Sequence, residues 1–140
     1  VAVYYSALAR YADLAIEPET YTLLSFPDTS ADFWGMASKD RKLIVPEFAG
    51  VGCLELNVIW EAARYTELRD VFTRNPFGKG EGADDRTGYD HRVPSPGVQC
   101  FTKTHWLQVH PKTPLGVYVW HDGLHPVEVT HAQFKLTIFT

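Results

Sequence analysis

Cysteine, methionine and clustered positive charge are all scarce in this chain. It has two cysteines, one methionine, and no basic run denser than Lys39-Asp40-Arg41-Lys42. With Cys53 and Cys100 alone there is no Cys-x-x-Cys pair, which excludes the common structural zinc sites. Both cysteines sit in apolar, strand-like surroundings, so two buried free thiols are expected in preference to a disulfide. A nucleic-acid partner needs several basic contacts acting together, and a net charge of −4 offers no such face. No apolar run approaches the roughly eighteen residues of a membrane span, and no signal-peptide pattern is present. Val1 in first place fits removal of an initiator Met and excision from a longer chain equally. With reduced thiols, these features favour an intracellular or particle-associated origin and no membrane partner.

Catalytic signatures are equally sparse. No Gly-x-Ser-x-Gly elbow occurs. Phe77-Gly78-Lys79-Gly80-Glu81-Gly82 lacks the spacing of a phosphate loop and carries a glutamate inside it, so no nucleotide cofactor is expected.

What the chain does have is apolar material spread along its whole length. Of its 140 residues, 45% are hydrophobic and 14% aromatic, enough for one domain over residues 1–140 with a core that needs no staples. Tyr4, Leu8, Tyr11 and Ala15 recur at steps of three and four, which predicts a helix from Val3 to Ala15 ending before Pro18. Tyr21 to Phe26 and Leu43 to Val45 read as short strands. Leu54, Leu56, Val58 and Trp60 alternate with polar residues as in a strand. Val58, Ala62, Tyr65, Leu68 and Phe72 then follow the helical period. The spacing predicts a strand to Trp60 and a helix over Glu61–Thr73, or alternatively one helix from Glu55. Asn75 to Gly97 holds five glycines and reads as a long Gly/Pro-rich loop. From Val98 onward three β-rich runs suggest an antiparallel meander, with Asp122-Gly123 as a two-residue hairpin turn pairing Trp120 with His125. The expected fold class is α+β: N-terminal helix, mixed central segment, C-terminal antiparallel meander.

That hairpin register puts His121 and His125 on opposite faces, and His105 and His110 differ by an odd number. The six histidines therefore do not converge, and no metal is expected. Asp90 beside His91 contains the parts of an acid–base pair, and with His105 these are the candidate catalytic residues. Phe77, Arg86, Tyr89 and Arg92 in the long loop are the candidate interface residues, since a glycine-rich loop needs contacts to order it and arginine suits interfaces. Two readings follow. One is a structural or interaction subunit of a larger assembly, with protein partners (self or other subunits), of the character of virus or phage particle components. The other is a small-molecule enzyme with a pocket between helices and a curved sheet, lined by Tyr11, Trp34, His105 and Tyr118. The missing catalytic signature, the long loop and the exposed-looking aromatics Trp34, Phe77 and Trp106 favour the first.

Overall fold

A computed structural model describing all 140 residues shows ten strands and no helix. They are β1 (Val3–Arg10), β2 (Leu14–Ile16), β3 (Thr22–Leu23), β4 (Asp28–Asp32), β5 (Gly50–Trp60), β6 (Leu68–Arg74), β7 (Asp85–Arg92), β8 (Gln99–Val109), β9 (Leu115–His121) and β10 (Val127–Phe139). A larger sheet runs β4-β1-β10-β5-β8, with β2 also pairing β10. A smaller sheet runs β3-β9-β6-β7. All pairings are antiparallel, and the two sheets stack as a sandwich.

This architecture overturns the α+β expectation, including both predicted helices. Tyr4 and Leu8 are four apart, a spacing that shares one face in a strand as well as in a helix. β1 lies between β10 and β4, and Leu8 is fully buried while Tyr11 is exposed. In the second case Val58 belongs to β5, and Leu68 and Phe72 belong to β6. These two strands sit in different sheets and face one core, so their spacing mimicked a helical stripe. Phe134 of β10 lies at the centre, its ring 5.7 Å from Phe26 and 6.0 Å from Phe72 across the sandwich.

No meander forms either. β8 and β10 flank β5 in the larger sheet, whereas β9 belongs to the smaller one. Asp122-Gly123 is accordingly a crossover between sheets, and Trp120 pairs with Arg69 instead of His125. The Asp122 carboxylate accepts hydrogen bonds from the backbone N–H groups of Thr66 (2.8 Å) and Glu67 (2.9 Å), and from the Thr66 hydroxyl. His121 is buried. Its Nδ1 accepts the Gly123 N–H at 3.0 Å, and its Nε2 lies 2.7 Å from the Ile16 carbonyl oxygen, to which it donates.

The span read as a loop contains β7, which pairs with β6 through a bulge. Gly88, at φ +68°, sits at that bulge. A Cβ there would meet the Phe72 ring at 3.3 Å and be strained by the backbone angle as well.

Candidate interaction surface

The residues singled out from the sequence are placed on separate surfaces. Asp90 is on β7 opposite Asp70, where the two carboxylates share two cations. Lys103 Nζ lies 2.7 Å from Asp70 Oδ1 and 3.1 Å from Asp90 Oδ2. Arg92 Nε lies 2.9 Å from Asp70 Oδ2, and its Nη2 lies 3.4 Å from Asp90 Oδ2. His91 projects to the opposite side of β7, its Nδ1 3.3 Å from Glu67 Oε1. Arg69 grips the same glutamate in a fork, and that hydrogen bonding holds the Glu67 carboxyl below its usual range. His105 is on β8, 3.2 Å from Thr87 Oγ1 and against the Phe72 ring. Burial, then the charges of Lys103 and Arg74, lower its pKa. Asp90, His91 and His105 thus have three different sets of partners.

The proposed pocket groups are likewise dispersed. Tyr11 lies beside His131 at 5.2 Å between ring centres, Trp34 packs edge-on against Tyr4, and Tyr118 lies beneath the Arg86 guanidinium. The largest cavity, about 370 Å³, is lined by Ala63, Arg64, Leu124, His125 and their neighbours, and holds none of these groups. Of the interface candidates, Phe77 and Tyr89 are exposed. Arg86 is held by Asp84 through Nε at 3.1 Å and Nη2 at 3.0 Å, and Arg92 is committed to the ion network. Cys53 is buried and Cys100 exposed, both free, which corrects the expectation of two buried thiols.

A different surface, of which the sequence pointed only to Trp106 as an exposed aromatic, collects exposed apolar side chains. In β5, Leu54, Leu56, Val58 and Trp60 face the core, so Val51, Cys53, Glu55, Asn57 and Ile59 face away. The ladders set Val3 beside Phe139, Phe139 beside Val51, and Val51 beside Gln108. One step along, Tyr5, Thr137, Cys53 and Trp106 form a second row. Val3 and Val51 are each 51% exposed, Trp106 59% and Phe139 37%, and the Trp106 and Phe139 rings stack at 5.8 Å. Phe33, at 83% exposure, follows Asp32, whose ladder partner is Ser6. Asp32 fixes that turn by accepting from the Ser6 hydroxyl and from the N–H groups of Met36 and Ala37.

Further along the same face the character changes to polar. Lys135, Glu55 and Thr104 make one row, and Gln133, Asn57 and Thr102 the next. His131, Ile59 and Cys100 follow. Beyond them Glu128 lies beside Asp13 and near Glu61, and the hydrogen bond and charge of Asp13 push the Glu128 carboxyl up. β8 closes this sheet as an eleven-residue edge strand, paired only through β5. Its signal in the sequence was a richness in aromatic and β-branched residues, which does not say which sheet face stays uncovered.

No protein-family model matches the chain, and no curated protein matches it either. Among solved structures it is similar to Eiger TNF from S. frugiperda, at 8% identity and TM-score 0.67, over 99% of this chain and 93% of that one. It is also similar to the globular domain of the zebrafish complement 1qA protein, at 9% identity and TM-score 0.66, over 97% of each chain. Murine APRIL matches at 12% identity and TM-score 0.65, over 97% of this chain and all of that one. The fold is therefore a β-sandwich of the TNF/C1q jelly-roll type. None of these three is a virus or phage particle component.

Proposed function

We propose that the chain is a protein-interaction module that assembles with copies of itself, as a trimer, through the outward face of its larger sheet. The observation that carries this is the apolar end of that face, where Val3, Val51, Trp106 and Phe139 stand exposed side by side. Monomers seldom leave a contiguous apolar patch with a stacked aromatic pair in water, because burying it gains roughly 25 cal/mol per Å². An uncovered edge strand of eleven residues adds a second reason, since free edges invite pairing unless another surface shields them. Folds of the TNF and C1q kind form homotrimers and bind protein partners, which supports the stoichiometry. The outward face of the smaller sheet, with Tyr89 and the Arg69 and Arg86 stacks on Trp120 and Tyr118, stays free for a different protein.

The test is mass in solution by light scattering over a range of concentrations. A species of three times the 15.8 kDa chain mass is expected, converted to single chains by Trp106→Glu with Val51→Glu. A single-chain mass at every concentration overturns the reading.

A further inference from the structure

The polar middle of the larger sheet has a property that sets it apart from the rest of the molecule. Glu55, Asn57, Thr102, Gln133 and Lys135 line one shallow dent of about 80 Å³. Lys135 and Glu55 are direct ladder neighbours, as are Gln133 and Asn57. Yet Glu55 and Lys135 form no ion pair within the chain, and the Asn57 side-chain oxygen is buried without a hydrogen-bond partner. On the outward face of the smaller sheet the opposite holds, for there Arg69 and Arg86 are both forked onto carboxylates. A buried acceptor left unsatisfied is uncommon in folded proteins and calls for a partner. Here that acceptor sits between one apolar end of a face and another apolar side chain, Ile59.

We propose that Glu55 and Lys135 are the partner-selecting residues of the self-association, Glu55 of one copy pairing with Lys135 of the next, with Asn57 hydrogen-bonded in the same layer. This rests on the assembly proposed above. The occupant is a second copy of this chain because each copy carries both signs at the same height on the same face. A closed ring of copies then alternates acid and base with no charge left over. A polar layer inside an otherwise apolar contact fixes register and stoichiometry, because any slip leaves buried charges unpaired.

The experiment compares wild type, Glu55→Lys, Lys135→Glu and the double swap by light scattering, with melting temperature as a check on folding. Each single variant is expected to melt close to wild type but to dissociate about tenfold or more readily, since like charges then meet at the contact. The double swap is expected to recover the wild-type mass and dissociation constant to within about threefold. Mixing the two single variants is expected to give assemblies that dissociate less readily than those of either alone, since two of the three contacts in a mixed trimer are then attractive, an outcome that pairing inside one chain cannot produce. Single variants that associate as wild type, or a mixture with no gain, overturn this inference while leaving the self-association intact. A wild type that stays a single chain overturns both.

Discussion

Lys103 on β8 reaches across the open edge of the sandwich to Asp70 on β6, with Nζ 2.7 Å from Oδ1. Asp70 is 1% exposed, and it also takes Arg92 of β7 at 2.9 Å. This joins three strands of two sheets where no backbone ladder connects β7 to β8. Asp70→Asn leaves two cations with one carboxylate between them, and breaking a buried pair from one side costs about 3–5 kcal/mol. Urea unfolding should show that loss. A loss below about 1 kcal/mol would mean that Asp90 alone balances both cations.

His105 makes stability depend on pH in a defined direction. Burial, Lys103 and Arg74 hold its folded pKa below the reference value of 6.5. The unfolded chain therefore takes up the proton first, and stability present above pH 6.5 is lost as pH falls through the lower folded value. Melting temperature should fall less steeply below pH 6.5 in His105→Gln than in wild type, because the common titrations of other groups cancel in the comparison. Parallel curves for the two proteins would exclude His105 as the source.

At the far end of the same sheet Glu128 has the opposite sign. Protonated Glu128 donates to the Asp13 carboxylate and ionised Glu128 is repelled by it, so the folded pKa of Glu128 is raised above 4.5. Its contribution is present below the unfolded value and is lost as pH rises through the folded one. Glu128→Gln should thus melt higher than wild type at pH 7, with the gain gone at pH 4. A variant that melts lower at pH 7 would show that the two carboxylates do not repel.

The strand from Leu54 to Trp60 was legible because one side of it is buried and the other is not, so alternation survives in the residues, and Gln99–Val109 was legible from its aromatic and β-branched content. The helices were misread where even spacing satisfied two periods, as at Tyr4 and Leu8, or where two strands from different sheets lined one core, as at Val58 and Phe72. Asp122-Gly123 gave a hairpin signal for another reason. Its aspartate caps the Thr66–Glu67 backbone, and its glycine N–H bonds to His121. Within the site, Val51, Trp106 and Phe139 lie far apart in the chain and meet only through the β5–β8 and β5–β10 ladders. Pairings of that range leave no local trace. Asp90 and His91 did carry a local trace, but adjacent strand residues point apart.

The position of β10 between β1 and β5 has a consequence for the order in which the molecule is made. Val3 pairs with Phe139, so β1 waits for β10 to be made before its main ladder exists. Until Val127–Phe139 arrives, β1 with β4 and β5 with β8 are two separate hairpin-like fragments, each with an apolar face in water. Ladders between such distant segments close slowly, because loop entropy is lost before contacts compensate for it. The larger sheet, and with it its outward face, therefore comes into being in one late step. Self-association of the proposed kind would then wait until each copy is complete through β10.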